Sequence, residues 1–239
     1  MKITLTDAGK RFNREWIFRH VNYRFTNGNS YAITGPNGSG KSTFLQLIAG
    51  SLIPSEGNIV YDRKDSLLAL PSGEETEKGI PAGSAAGESL RHTTDRQGAG
   101  SIAPDRIYLF LSMAAPYLEL VEELTLIELL RFHGHFKPLI PGMDAEKLIG
   151  LIGLEKSARK QIRYYSSGMK QRVKLALAVF SDAELLLLDE PCTNLDAEGI
   201  ALYRRLIRDF CGDRLVIVSS NDLQEYEFCE ERIEISAYR

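Results

Sequence analysis

One short stretch of the chain has the residue types and spacing that bind phosphate. Residues 35–43 read GPNGSGKST, which matches the pattern G-x-x-x-x-G-K-[ST] in full. In such a loop the glycines let main-chain N–H groups turn inward around phosphate oxygens, the lysine adds a cation, and the hydroxyl that follows reaches Mg²⁺. The stretch follows an apolar strand and opens a helix, whose N-terminus adds a positive end. The predicted phosphate ligands are Gly35, Pro36, Asn37, Gly38, Ser39, Gly40, Lys41, Ser42 and Thr43, with Ser42 also as a metal ligand.

A pair of carboxylates ends the apolar run ELLLLDEP, residues 184–191. A continuous run of this kind favours a central parallel strand that is buried on both faces. Beside a phosphate loop, Asp189 is expected to hold Mg²⁺, directly or through water, and Glu190 to orient and polarise an attacking water. Side chains alternate along a strand, so the two carboxylates point apart and permit two separate roles. The alternative is a strand end that is merely capped by polar residues.

Two further polar stretches could contact a phosphate. In YSSGMKQR, residues 165–172, Ser166 or Ser167 predicts a helix N-cap and Gly168 permits close approach. The free N–H groups of that first turn would form a second anion site, although ordinary capping is the alternative for this stretch taken alone. LVIVSSND, residues 215–222, is either a plain strand end or a point where a sheet delivers a polar side chain to a bound phosphate.

Strands and helices alternate after the phosphate loop, which predicts an α/β fold with a parallel central sheet. The short strands ITLTD, WIFRHVNYRF, SYAIT and GNIVYD predict an antiparallel β subdomain within residues 1–34 and 57–65. TNGNS, residues 26–30, is a hairpin signal. The later predicted elements are a buried strand at 107–111, helices at 119–132, 144–152, 167–180 and 203–210, and strands at 184–191 and 215–218.

Residues 66–105 differ in composition from the rest of the chain. They are rich in Gly, Ala, Ser, Glu and Thr and poor in large apolar residues. Such a segment buries too little surface to offset its ordering entropy, so we expect a mobile insertion at the edge of one domain. The alternative, a linker between two domains, is disfavoured because the motifs on its two sides belong to one site.

The composition excludes some classes of partner. The 239 residues carry a formal net charge of −3, so no global basic field favours nucleic acid or an anionic membrane as the main partner. The three cysteines form no metal pattern and no disulfide framework, which fits a reducing cytoplasm. The N-terminus has no apolar signal core and no run of about 18 apolar residues occurs, so we expect a cytoplasmic chain that does not span a membrane.

Taken in this order, the motifs resemble those of the ATP-binding subunit of an ATP-binding cassette (ABC) transporter, and the resemblance covers nearly all of the chain. YSSGMKQR resembles the LSGGQ-type signature, and TNLD at 193–196 resembles the D-loop. ELTLIELLRF at 123–132 resembles the start of the helical subdomain in exporter-type ATPases. The resemblance implies one domain over 1–239, with a P-loop NTPase core, the N-terminal antiparallel β subdomain and an α-helical subdomain at about 116–165.

The resemblance also implies where the two anion sites meet. In the family two subunits, identical or different, pack head to tail with ATP and Mg²⁺ between them. Ser166 and Gly168 would contact the γ-phosphate of ATP bound to the partner's phosphate loop, and Asp196 would lie across the interface. Phe12 matches the aromatic residue that stacks on adenine, with a core phenylalanine on a strand as the alternative.

The implied function is an ATPase subunit at the inner face of the cell membrane that powers a separate transmembrane permease. The stretch 123–132 favours an exporter. The alternatives are a nucleotide-binding regulatory protein with little turnover and a soluble ATPase of the same family that acts outside transport. Neither a basic patch nor a set of zinc cysteines points to nucleic acid as a partner.

Two positions depart from the family's pattern. The family has a glutamine after the strand near 107–111, whereas Ala115 or Pro116 stands near that place here. The family's switch histidine is Asn221, which keeps N–H donors but is neutral and does not titrate near pH 7. With Glu190 and Asn221 as the catalytic pair, we expect ATP binding and dimerisation to survive and hydrolysis to be slow.

Overall fold

The described residues, 1–63 and 100–239 of a computed structural model, contain two β-sheets. The antiparallel sheet has the strand order β2-β1-β4-β5 and the parallel sheet the order β6-β7-β8-β3-β9. The strands are β1 (Lys2–Phe12), β2 (Glu15–Thr26), β3 (Ser30–Thr34), β4 (Glu56–Asp62), β5 (Ser101–Ile102), β6 (Leu111–Ala114), β7 (Leu185–Asp189), β8 (Leu215–Ser219) and β9 (Glu231–Glu234). The predicted fold class, a P-loop core with a parallel sheet beside an antiparallel sheet and helices, is confirmed.

The six α-helices of the described residues follow the strands in the order expected for a parallel core. They are α1 (Lys41–Ile48), α2 (Leu126–Phe136), α3 (Ala145–Leu151), α4 (Ser167–Phe180), α5 (Ala197–Phe210) and α6 (Leu223–Tyr226). None of the described helices is long and apolar enough to cross a membrane.

The two central strands separate two hydrophobic cores. Alternate residues of a strand face opposite sides of its sheet. Leu186 and Leu188 of β7 lie in a core with α2, α3, α4 and α5, whereas Leu185 and Leu187 lie in a core with α1 and the antiparallel sheet. Every residue of β7 and β8 is buried, as the continuous apolar runs predict.

The helices between β6 and α4 begin at side-chain caps. Thr125 Oγ1 accepts from Glu128 N at 3.3 Å, and the Glu128 carboxylate accepts from Thr125 N at 2.8 Å, which completes a capping box for α2. Asp144 Oδ1 accepts from Lys147 N at 2.8 Å at the start of α3. Both helices lie inside the range 116–165 that was predicted for the helical subdomain.

The predicted strand at 107–111 is wrong in position. Residues Pro104–Leu109 form a 3-10 helix, and the strand β6 follows at Leu111–Ala114. Pro104 has the fixed φ that suits a first helical turn, and Tyr108 and Leu109 are exposed. The predicted helix at 119–132 begins instead at Leu126, because the capping box at Thr125 sets its start, and it runs on to Phe136.

The predicted hairpin at 26–30 is also wrong. These residues join β2 of the antiparallel sheet to β3 of the parallel sheet, so Ser30–Thr34 belongs to the core and not to the β subdomain. The turn has the local residues of a hairpin, with Gly28 at φ 80°. β3 nevertheless pairs with β8 and β9, which are distant in sequence. This pairing depends on the burial of apolar surface, which a local turn motif does not predict.

Two other boundaries differ from the sequence expectation. The helix predicted at 203–210 begins at Ala197, because the Asp196 carboxylate caps it by accepting from Gly199 N at 2.8 Å. The insertion predicted at 66–105 lies outside the described residues for 66–99. Its last residues are ordered, since Ser101–Ile102 pairs with β4.

Candidate nucleotide site

The carboxyl ends of the parallel strands bring the predicted phosphate residues to one edge of the sheet. β3 runs into the phosphate loop, β7 into Asp189 and Glu190, and β8 into Asn221. Ligands of open parallel sheets bind at this edge. The topology therefore joins three motifs that are distant in sequence.

The phosphate loop needs glycine at two of its positions. Gly40, the N-cap of α1, has φ 100°, and a Cβ there would lie 2.3 Å from Cγ2 of Ile17. Gly35 has φ 143°, and a Cβ there would lie 2.8 Å from the hydroxyl of Ser39. Any side chain at Gly40 would force β2 and the loop apart. The loop curvature that the sequence pattern predicts therefore depends on these glycines.

Lys41 already holds its ammonium group over the loop. Nζ donates to the main-chain oxygen of Gly35 at 2.9 Å and contacts that of Pro36 at 3.4 Å. The first helical bond of α1 runs from Phe44 N to Gly40 O, so the N–H groups of the preceding first turn have no partner within the helix. A cation and a set of free N–H groups thus face the space where phosphate would bind.

Asp189 and its neighbours leave buried polar atoms unpaired. Asp189 is 2% exposed, and its Oδ1 has no hydrogen-bond partner among the described residues. Ser219, its register partner on β8, and Ser39 of the phosphate loop also have buried hydroxyls without a partner there. Buried polar atoms are normally satisfied. Ser112 Oγ on β6 also lacks a partner among the described residues, but Asp189 and Ser219 end their strands and Ser39 lies in the loop that follows β3, so a polar ligand at this edge of the sheet would complete all three.

The donor set fits Mg²⁺ rather than a metal held by protein alone. Among the described residues no group of three or more His, Cys, Asp or Glu side chains could hold a metal ion. Asp189 and the hydroxyl of Ser42 would supply two oxygen ligands. Mg²⁺ commonly takes only one or two protein oxygens and completes its shell with water and substrate phosphates.

Glu190 occupies a different environment from Asp189. It is exposed and has φ 43°, an unusual value for a residue with a side chain, and its N–H donates to Ser219 O at 2.9 Å. This left-handed residue turns the chain out of β7, so a buried carboxylate is followed directly by one that reaches solvent. The two are suited to a metal ligand and a water-polarising base, respectively.

Asn221 contacts the phosphate loop. Its Oδ1 accepts from Gly35 N at 3.2 Å, and its Nδ2 donates to Oδ1 of Asn37 at 3.1 Å. The side chain is exposed and lies beside the phosphate loop. The order of the motifs along the sequence does not by itself reveal this proximity. It can hold the loop and donate to phosphate, but it cannot transfer a proton.

The position of the family's glutamine is filled by apolar residues. Ala115 follows β6 directly and is fully buried, and Lys174 Nζ donates to the main-chain oxygen of Pro116 at 3.0 Å. The phenol of Tyr117 follows two residues after Ala115. Burial raises its pKa, the side chain of Gln46 lowers it, and the charge of Asp189 raises it.

Neither Tyr117 nor Gln46 is among the residues that the sequence motifs assign to the site. Gln46 lies four residues after Ser42 on α1, so the two share one helix face, and this spacing was the available signal. Tyr117 carried none, because its approach depends on the path of the chain after β6.

The signature residues form the start of α4. Ser166 is the N-cap, and its Oγ accepts from Met169 N at 3.2 Å. A Cβ at Gly168 would lie 3.0 Å from Asn194 O, so glycine allows close approach of the D-loop. None of the hydrogen bonds found among the described residues joins Ser166 to the phosphate loop.

Asp196 lies beside the signature helix as well as capping α5. Arg172 of α4 approaches its carboxylate at 3.3 Å and that of Glu198 at 3.4 Å. The hydrogen bond from Gly199 N lowers the pKa of Asp196, and Arg172 lowers it further. The structure thus brings Ser166, Gly168 and Asp196 to one surface.

Phe12 ends β1 and is 47% exposed, with Lys10 Nζ 5.3 Å from the ring centre. The alternative of a core phenylalanine is therefore wrong. The exposed ring is available to a planar ligand.

Comparison with known proteins identifies the family. The protein-family model described as ABC transporter matches residues 18–193. The spermidine/putrescine import ATP-binding protein PotA of Fusobacterium nucleatum is 27% identical over 98% of this chain, which spans 54% of that protein. The lantibiotic transport ATP-binding protein SrtF of Streptococcus pyogenes is 26% identical over 94% of the chain and 82% of its own length.

Solved structures share the fold. A putative ABC transporter ATP-binding protein from Pyrococcus furiosus superposes with a TM-score of 0.71 at 17% identity, covering 100% of this chain and 99% of that one. A dimeric bacterial ABC transporter cassette gives 0.66 at 20% identity, covering 98% and 95%. The chain belongs to the ABC transporter family, as one of its ATP-binding proteins, which are ATPases coupled to transport.

Proposed function

We propose that two ATP-binding chains, this one and either a second copy or a different subunit, close around ATP and Mg²⁺, hydrolyse the ATP and so power a separate membrane permease. The observation that carries the proposal is the buried Oδ1 of Asp189, which has no partner among residues 1–63 and 100–239, at the sheet edge where the phosphate loop begins, with the exposed carboxylate of Glu190 next to it. A buried carboxylate oxygen is normally hydrogen-bonded, so this one supports a ligand at the site.

Each residue of the site has a role that its position supports. The phosphates would be bound by Lys41 and by the main-chain N–H groups of the loop, apart from those of Gly35 and Ser39, which are bonded within the protein. Ser42 and Asp189 would hold Mg²⁺, which neutralises phosphate charge when it is bound. Glu190 orients the attacking water. Asn221 donates to the γ-phosphate from its place beside the loop, and Phe12 stacks on the adenine.

The closed state requires the signature surface of the partner. Ser166 and Gly168 lie on a helix N-terminus that their own phosphate loop does not use, and such a terminus binds anions. Head-to-tail packing of two copies places this terminus against the γ-phosphate of the facing site, with Asp196 at the same interface. A heterodimer with a related ATPase subunit would use the same surfaces.

The permease contact is proposed at the surface between β6 and α2. A cavity of about 260 Å³ there is lined by Leu118, His133, Lys137 and Lys174 among others, and burial lowers the pKa of both lysines. This chemistry fits an amphipathic segment with one acidic side chain, presented at the inner face of a membrane. The segments that flank β6 and the helix α2 also carry exposed large apolar residues, which are Tyr108, Leu109, Tyr117, Leu118, Val121, Phe132 and Phe136.

Export is the direction we propose, on the resemblance of residues 123–132 to exporter-type ATPases. A nucleotide-binding regulatory protein with little turnover is the second candidate. Ala115 at the glutamine position and Asn221 at the histidine position favour it, because the first cannot bind metal or water through its side chain and the second cannot transfer a proton.

Steady-state ATP hydrolysis by the purified chain, compared with Glu190→Gln, tests the proposal. Wild type is expected to hydrolyse ATP slowly but above the variant, since the variant keeps the shape of the site and loses the base. Equal inactivity of both chains, with and without a co-purifying membrane protein, would favour the regulatory candidate.

A further inference from the structure

Glu225 is a buried carboxylate that the proposed reaction does not use. It lies in α6 and is only 4% exposed. Buried carboxylates are rare unless they are paired with a cation, yet no ion pair of Glu225 is found among the described residues. Its position must therefore be supported by hydrogen bonds.

A main-chain donor from a separate loop holds this carboxylate. The N–H of Cys192 donates to Oε1 of Glu225 at 2.6 Å. Burial raises the pKa of Glu225, whereas the Ser220 side chain and the bond from Cys192 lower it, and the charges of Asp222 and Glu190 raise it. The Ser220 hydroxyl itself is bonded to Asp222, so the geometry gives Glu225 one firm partner outside its own turn.

The main chain of Glu225 is also held by hydrogen bonds. The phenol of Tyr203 in α5 donates to the main-chain oxygen of Glu225 at 2.6 Å. The N–H of Glu225 donates to Asp222 O at 3.0 Å. The side chain therefore leaves a fixed point in α6, just after the turn that carries Asn221, and reaches the turn that follows β7.

These two turns carry the two catalytic side chains. Cys192 lies two residues after Glu190, and Ser220 immediately precedes Asn221. A hydrogen bond from Glu190 N to Ser219 O at 2.9 Å also joins them at the ends of their strands. The buried residue Glu225 therefore connects the turn that positions Glu190 with the turn that positions Asn221.

We infer that Glu225 is a positioning residue that fixes the carboxylate of Glu190 relative to the amide of Asn221 and the phosphate loop. The inference rests on the proposed hydrolysis. It predicts that weakening the bond between Cys192 N and the Glu225 carboxylate changes the geometry of the reacting groups while ATP binding, which uses the loop at 35–43, persists.

Glu225→Gln is the sharpest variant, because glutamine has the same size but replaces one acceptor oxygen with an NH₂ group. It also removes the negative charge that strengthens the bond from Cys192 N. Glu227→Gln is the matched control, since Glu227 is two residues further on, exposed, and paired only with Arg204 at 3.1 Å among the described residues. Both variants are compared with wild type and Glu190→Gln for kcat, the KM for ATP and thermal midpoint.

Glu225→Gln is expected to lower kcat by on the order of 10–100-fold, the range for a misplaced catalytic group, with the KM for ATP unchanged within about twofold. Glu227→Gln should match wild type in both. A second measurement does not need turnover: exchange of the Gly35 amide hydrogen, which is bonded to Asn221 Oδ1, should be faster in Glu225→Gln and unchanged in Glu227→Gln.

The inference would be overturned if Glu225→Gln had the same kcat as wild type and the same rate of exchange at the Gly35 amide. So would a parallel loss of kcat, ATP affinity and thermal midpoint, which would mark Glu225 as a structural residue only. If wild type hydrolyses ATP no faster than Glu190→Gln, the proposed hydrolysis fails instead, and the Gly35 exchange alone decides whether Glu225 positions Asn221.

Discussion

The side chain of Asn221 accepts a hydrogen bond from the main-chain N–H of Gly35 at 3.2 Å. The end of β8 is thereby tied to the first residue of the phosphate loop. The amide also reaches Asn37 at 3.1 Å, so both of its polar atoms contact the loop. A residue that the sequence suggested as a phosphate sensor is therefore also a support for the loop.

Replacement of Asn221 separates these two roles. Asn221→Ala should lower kcat by about tenfold, because a preorganised donor is lost, and change ATP affinity by less than about threefold. Asn221→His should raise kcat above wild type, since imidazole can both donate to phosphate and exchange a proton. Steady-state kinetics with nucleotide-binding titrations measure both. Unchanged kcat in both variants would show that residues 215–222 are a plain strand end with no role in hydrolysis.

Replacement of Asp189 tests the metal assignment. Asp189→Asn removes the charge of this buried carboxylate, whose Oδ1 has no partner in the described part of the chain, and keeps its shape, so half-saturation by Mg²⁺ should move to a higher concentration. ATP binding in the presence of a chelator should change much less, because Lys41 and the loop N–H groups remain. Titration of ATP binding against Mg²⁺ measures the shift. An identical Mg²⁺ dependence in wild type and variant would show that Asp189 does not hold the metal.

Two glycines with similar backbone angles test the curvature of the loop. Gly40→Ala places a Cβ 2.3 Å from Ile17, whereas Gly28→Ala, at φ 80°, meets no heavy atom within 4 Å. Both variants carry a strained left-handed residue, worth about 1 kcal/mol. Only Gly40→Ala should weaken ATP binding, by on the order of tenfold, since a displaced loop loses about 1.4 kcal/mol of hydrogen bonding. Equal ATP affinity in the two variants would contradict this.

Two helix caps test the signature surface. Ser166→Ala and Asp144→Ala each remove a side-chain acceptor from a first-turn N–H, so urea unfolding should show a loss of about 1 kcal/mol in both. Ser166→Ala alone should also weaken ATP-driven dimerisation, because only Ser166 is proposed to face the nucleotide of the partner. A dimer that both variants form equally well would exclude Ser166 from the interface.

The local motifs of the site were predictable from the sequence, and its long-range connections were not. The phosphate loop and the run ending in Asp189 depend on short-range spacing and on hydrophobic continuity, which a single sequence displays. The pairing of β3 depends on neither feature, because its partner β8 lies far along the chain. Residues 26–30 suggested a hairpin with the nearby β2 instead. Glu225 had no local signal for the same reason, since one of its donors, Cys192, lies 33 residues away.

Sedimentation velocity of Glu190→Gln, with and without Mg²⁺ and ATP, measures most directly whether two chains close around nucleotide. Loss of the base should keep ATP intact in the site, so we predict a shift from monomer to dimer that requires ATP. The shift should be absent in a Lys41→Ala, Glu190→Gln double variant that cannot hold the phosphates. A Glu190→Gln chain that binds ATP and remains monomeric at every protein concentration would contradict a site shared between two copies.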